Sequence, residues 1–213
     1  MSTDRLRRSW IANAAAWRDA VRERRIESRR VATDAAIVDA VLAQQPRTVL
    51  DLGCGEGWLA RALAAHGVQV TGVDASPDLV AAAQEQGGGT FQVLAYDELA
   101  TLGARYDVAV ANFSLLEEDL QPLAALAADT LIIQTVHPAS IEEASRDGWR
   151  VETFAAMEGE WREPMPWYFR TIASWVATLA ENGWSVTETR EPLHPETQRP
   201  LSVIFICQQR RRA

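Results

Sequence analysis

The chain has 213 residues, 47% of them hydrophobic, with a formal charge of -8 at pH 7 and two cysteines, Cys54 and Cys207. That balance suits one domain with a sizeable core and argues against disorder, a disulfide framework and a polyanion as the main partner. All 21 basic residues are arginine, so Schiff-base chemistry, pyridoxal phosphate chemistry and a P-loop lysine are excluded.

No apolar run approaches the roughly 20 residues of a membrane span. The start, Met1-Ser2-Thr3-Asp4-Arg5, lacks a signal peptide's apolar core, so a cytoplasmic protein with no membrane partner is expected. Residues 1–30 carry nine arginines against Asp4, Asp19, Glu23 and Glu27, a local charge of +5. Trp10, Ala14, Trp17 and Val21 recur at helical spacing and predict one amphipathic helix with an aromatic stripe. Packing of that stripe on the domain is the plain reading; an RNA-binding arginine face is the alternative. Thr33-Asp34 opens a second helix, with Ala36, Ile37, Ala40 and Val41 on one face, that ends before Pro46.

Val49 to Leu52 reads as a buried strand, and Gly53, Gly55 and Gly57 follow at every second position, a turn that glycine backbones fit. Trp58 to His66 is helical, with Leu59, Leu63 and Ala64 on one face and Gly67 as the stop. A second apolar run, Val68 to Val73, ends in Asp74. Strand, glycine loop, helix, strand and terminal carboxylate together form a nucleotide-cofactor cradle, in which N–H groups face an anionic part and the acid accepts ribose hydroxyls. A dinucleotide fingerprint needs glycine where Trp58 stands, which makes a nicotinamide enzyme the distant reading.

Further along, Ser76-Pro77-Asp78 starts a helix that runs to Gly87-Gly88-Gly89, and strands are predicted at Thr90–Leu94, Tyr106–Asn112 and Thr130–Thr135. From 139 to 170 the period is lost and aromatics accumulate, the mark of a lid insertion or of a satellite core under a long loop. Thr171 to Glu181 is an amphipathic helix stopped by Asn182-Gly183. Strands follow at Trp184–Thr189 and Leu201–Cys207, and the Arg210-Arg211-Arg212 tail is expected to fray.

Asp51, Gly53, Gly55 and Gly57 match D-x-G-x-G-x-G, and Tyr106–Asn112 is similar to the fourth-strand segment of the same family. On these residues, with Asp74, the chain resembles the class I S-adenosylmethionine-dependent methyltransferases of small-molecule type, such as those of quinone biosynthesis. The resemblance implies an α/β fold: a doubly wound, Rossmann-like, seven-stranded, mostly parallel sheet with a C-terminal antiparallel hairpin and helices on both faces. It spans residues 33–213 behind an N-terminal helical cap, 1–32, with the lid at 139–170.

The resemblance implies S-adenosylmethionine as cofactor. Gly53, Cys54, Gly55 and Gly57 would wrap its methionine end, Asp51 would lie near its amino group, and Asp74 with Ala75 would hold the ribose. Ala95 and Tyr96 would bracket the adenine, Asn112 would lie beside the reactive methyl, and an arginine ahead of the first strand, Arg29 or Arg30, would meet the carboxylate. For an oxygen acceptor the candidate bases are His137, past the fifth strand, and Glu117, past the fourth. The opposing readings are a structural histidine and a solvated helix start at Glu117-Glu118-Asp119. Phe113, Trp161, Trp167 and Tyr168 could line an apolar acceptor pocket, with Arg162 or Arg170 for an anionic group. No spacing suggests metal ligation. The expected activity is therefore metal-independent methyl transfer to a small, apolar or aromatic metabolite by a monomer or homodimer. The alternatives are an RNA methyltransferase and a non-catalytic S-adenosylmethionine-binding protein.

Overall fold

A computed structural model describes residues 3–141 and 145–210. The N-terminal stripe folds as two helices rather than the single one predicted, α1 (Thr3–Ala12) and α2 (Ala14–Arg22), because Asn13 leaves helical geometry between them. A π-helical turn, Arg29–Thr33, leads into α3 (Asp34–Leu42). The alternation that follows is β1 (Thr48–Leu52), α4 (Trp58–Ala64), β2 (Gln69–Asp74), α5 (Pro77–Gln86), β3 (Thr90–Val93), β4 (Tyr106–Asn112) and β5 (Ala128–Val136). Capping sets α5: the Ser76 hydroxyl accepts from Leu79 N at 3.4 Å and Pro77 occupies the first turn.

The segment predicted to lack periodic structure contains a hairpin, β6 (Gly148–Glu152) paired antiparallel with β7 (Met165–Phe169), apart from the main sheet. Then come α6 (Ile172–Glu181), β8 (Trp184–Arg190) and β9 (Ser202–Gln209). The acids at 117–119 do not start a helix. Of the tail expected to fray, Arg211 and Arg212 lie outside the described residues.

The main sheet has the order β3-β2-β1-β4-β5-β9-β8. Strands β1 to β5 are parallel, and β9 runs antiparallel to both β5 and β8. Successive residues of the central strands are buried on opposite faces, as a parallel sheet covered on both sides requires. Val49, Val108, Val110 and Ile132 pack with Ile37, Leu59, Leu63 and Val80 from α3, α4 and α5. Leu50, Ala109, Leu131, Ile133 and Phe205 pack on the other face with Trp175 and Leu179 of α6. Each fully buried aliphatic side chain of this kind contributes about 1.5–3 kcal/mol. The strand order reverses between β2-β1 and β4-β5, which opens a crevice at the carboxyl ends of β1 and β4. A third apolar cluster, outside the two layers, joins Leu6, Trp10 and Trp17 to Leu116, Phe154, Trp161, Met165 and Trp167.

Candidate functional site

At that crevice lies a cavity of about 540 Å³. Its floor is Gly53, Cys54 and Gly55 after β1, Asp74 and Ala75 after β2, and Ala95 and Tyr96 after β3, with Asn112 and Phe113 after β4. The glycine loop turns with φ of +71°, +56° and +82° at Gly53, Gly55 and Gly57. A Cβ on Gly53 would come within 2.5 Å of Ser114 Cβ and 2.7 Å of the Tyr96 hydroxyl, whereas one on Gly55 would meet no protein atom within 4 Å. Gly53 is thus demanded by packing and Gly55 by the cavity it borders.

Asp74 Oδ2 accepts from Gly55 N at 2.9 Å and Oδ1 from Ser76 N at 2.8 Å, so the acid braces the loop. Burial raises its pKa, and these two N–H groups restrain the rise. A carboxylate has further lone pairs, and those of Asp74 remain for donors in the cavity. Beneath it Asp51 is buried, with Oδ2 lacking a partner among the described residues. Burial, then the Asp74 charge, lifts the Asp51 carboxyl to about 7, while Arg29 pulls it down.

Arg29 lines the cavity, stacks 4.5 Å over Trp58 and pairs with Asp34 at 2.8 Å, and its buried Nη2 is also without a partner among the described residues. One orphaned acid and one orphaned guanidinium N–H, beside a braced carboxylate, suit a ligand with a zwitterionic end and a diol. S-adenosylmethionine has both, so the residues present fit it. Of the two arginines named for the cofactor carboxylate, Arg29 lines the cavity, whereas Arg30, in the same π-helical turn, is exposed and outside the lining.

The other wall comes from α1, α2 and the residues around β7. Trp10, Trp17, Met157, Met165 and Trp167 line it together with Arg7 and Glu117. Trp10 and Trp17 have ring centroids 5.1 Å apart, and Phe154 stacks on Trp161 at 4.1 Å behind them. The helical spacing of Trp10 and Trp17 was legible, but the stripe alone does not say that it borders a cavity. Glu117 is held by Leu116 N, which donates to its Oε2 at 3.2 Å, and burial raises its carboxyl to about 7.

Several predicted residues lie elsewhere. Gly57 caps α4, where a Cβ would crowd Ala83 and Phe91 at 3.0 Å. His137 accepts from Ala139 N at Nδ1 (3.0 Å), which leaves its proton on Nε2, 3.1 Å from Glu191 Oε1; Val136 lines the cavity and His137 does not. Trp161 packs behind Trp17, and Tyr168 sits edge-on to Trp149. Arg170 is buried between Tyr168 and Trp175, donating to the carbonyls of Glu117 (2.8 Å) and Glu118, and so clamps the loop after β4 instead of facing the cavity. Among the described residues no three His, Cys, Asp or Glu side chains converge as metal ligands. A feature without sequence signal is Glu56, buried inside the glycine loop and paired with Arg61 of α4 at 2.6 Å and Arg22 of α2 at 3.1 Å.

A profile described as "Methyltransferase domain" matches residues 49–132. The chain is 38% identical over 96 residues to the ubiquinone biosynthesis O-methyltransferase of Cereibacter sphaeroides, a match covering 43% of this chain and 38% of that protein. Among solved structures it resembles 1,6-didemethyltoxoflavin-N1-methyltransferase of Burkholderia thailandensis (TM-score 0.65, 18% identity, 97% of this chain and 88% of that one). It is also similar in fold to an S-adenosylmethionine-dependent methyltransferase of Mesorhizobium loti (TM-score 0.62, 21% identity, 81% and 98%). Residues 49–132 thus match a methyltransferase domain, the chain spans well under half the length of the curated relatives it matches, and its fold is that of S-adenosylmethionine-dependent methyltransferases.

Proposed function

We propose that this protein transfers a methyl group from S-adenosylmethionine to a small, apolar or aromatic metabolite, without a metal, in the cytoplasm. The observation that carries the reading is a cavity in which the braced Asp74 and the orphaned Arg29 adjoin walls of Trp10, Trp17 and Trp167, with the orphaned Asp51 buried behind the glycine loop. When bound, the cofactor supplies an activated methyl on a sulfonium, whose C–S bond breaks with the electron pair left on sulfur. The chain's own contribution is to hold donor and acceptor in line and to exclude water. In this reading residues 1–32 are a cap over the cofactor and residues 139–170 a lid over the acceptor. The small acceptor is favoured over RNA because the wall carries Trp10, Trp17 and Trp167 and the body of the chain is acidic.

The direct test is calorimetric titration with S-adenosylhomocysteine, with NAD as the control. Micromolar binding of the first alone is expected, and Asp74→Ala should weaken it about a hundredfold by removing charged hydrogen bonds. Unchanged affinity in that variant would remove the basis for the assignment.

A further inference from the structure

The loop after β4 is built more rigidly than a surface loop requires. Arg170 holds the carbonyls of Glu117 and Glu118, Tyr168 N donates to Leu116 O at 2.8 Å, and Leu116 N holds Glu117 Oε2. Three of these bonds come from β7 and its end, so the hairpin fixes where Glu117 presents its carboxylate. Glu117 lines the cavity together with Asn112 and Phe113 and with the aromatic side chains Trp10, Trp17 and Trp167. Among the described residues no other predicted base reaches the cavity, since His137 is turned to Glu191.

Resting on the methyltransferase reading above, we propose that Glu117 is the general base of this site and that its acceptor is a planar hydroxyaromatic molecule. The acceptor's O–H bond breaks with its proton passing to the Glu117 carboxylate. The electron pair left on that oxygen forms the new bond to the methyl carbon, and the neutral Glu117 then releases its proton to water. Arg170 is a positioning residue that acts through the two carbonyls. The charged and titratable groups facing Glu117 are Arg7 from α1, Arg170 from the end of β7, and the Tyr96 hydroxyl, which donates to Ser114 O at 3.1 Å. Burial outweighs the two arginines and brings Glu117 to about 7, where a base is half ionised near neutral pH.

The test uses the full chain saturated with S-adenosylhomocysteine and titrated with 2-naphthol, a planar, fluorescent phenol that stays neutral in this range. A hydrogen bond to a charged acceptor is about twice as strong as a neutral one, so wild-type affinity should rise about tenfold as pH increases through about 7. Glu117→Gln should bind S-adenosylhomocysteine like the wild type but 2-naphthol weakly and independently of pH. If 2-naphthol fails to bind the loaded protein, or if wild-type affinity is flat across that window, the proposal is overturned while the cofactor reading stands; this arm needs no variant. An equal rise in Glu117→Gln overturns it too. Failure of S-adenosylhomocysteine itself to bind overturns the methyltransferase reading, and this proposal with it.

Discussion

Gly53 and Gly55 share a left-handed backbone, yet they separate two requirements that usually overlap. Left-handed geometry costs a Cβ-bearing residue about 1–2 kcal/mol at either position. At Gly53 the added Cβ also strikes Ser114 and Tyr96 at 2.5 and 2.7 Å, so Gly53→Ala should lower the unfolding free energy by clearly more than that, read from urea midpoints. At Gly55 the Cβ meets no protein atom, so Gly55→Ala should cost little more than the backbone term while weakening S-adenosylhomocysteine binding at least tenfold. Equal stability losses in the two variants would contradict the packing argument. The D-x-G-x-G-x-G spacing makes all three glycines legible in sequence. Which one borders the cavity depends on β4, because Ser114 lies in the loop just after a strand that enters the sheet more than fifty residues later.

The elements that border the cavity are tied to it by a few specific bonds. Asn13, between α1 and α2, donates to Glu163 O at 2.7 Å and accepts from Arg162 N at 2.7 Å, so the break between the two helices is where they are fastened to the segment before β7. Asn13→Ala leaves Arg162 N without this acceptor and Glu163 O with only the longer bond from the Ser9 hydroxyl at 3.4 Å, and should cost about 1–3 kcal/mol. Hydrogen exchange should then be faster throughout α1, and protection equal to wild type would show that the aromatic cluster alone holds the helix. The Glu56 ion pairs permit a sharper comparison. Removing the Glu56 carboxylate leaves Arg61 and Arg22, each about 30% exposed, with backbone-carbonyl acceptors only, and should cost about 1.5–3 kcal/mol. Removing Arg22, about one-third exposed, leaves the Glu56–Arg61 pair intact and should cost under about 1 kcal/mol. The strand pattern of β1, β2 and β4 was legible from apolar runs. The β6–β7 hairpin was not, because aromatics on both faces of β7 hide the period of two that a half-buried strand shows.

At the scale of the whole molecule, the buried carboxyls in and behind the cavity store electrostatic strain. Asp51 rises from 3.8 to about 7 and Glu117 from 4.5 to about 7, both chiefly through burial. Above their unfolded values the unfolded chain has released these protons while the folded chain keeps them, so stability falls as pH rises from about 4 to about 7 and then levels off. Asp107 and Asp147 are shifted the other way by hydrogen bonds, and their contribution is lost as pH drops below the ordinary carboxylate range. Thermal unfolding of the ligand-free protein should therefore show a lower Tm at neutral pH than in mild acid. Asp51→Asn should flatten that decline; an unchanged slope would mean that Asp51 is ionised when folded.

What the chain by itself determined is local: the strand-loop-helix-strand unit, its terminal acid, the exclusion of lysine chemistry and the amphipathic stripe follow from spacing and residue type over short stretches. What only the tertiary structure decided is convergence. Arg29 rather than Arg30 borders the cavity because a π-helical turn sets the register, and the difference of one residue rotates a side chain to solvent. His137 is withdrawn by Glu191, and Arg170 is consumed by two carbonyls, through contacts more than fifty residues apart in sequence. Glu117 is raised toward neutrality by burial, in a loop that the hairpin clamps. Side-chain periodicity records which face of an element is buried, but not which distant element covers it. A site assembled from several strand ends and two remote helices is therefore visible only once the sheet has closed around it.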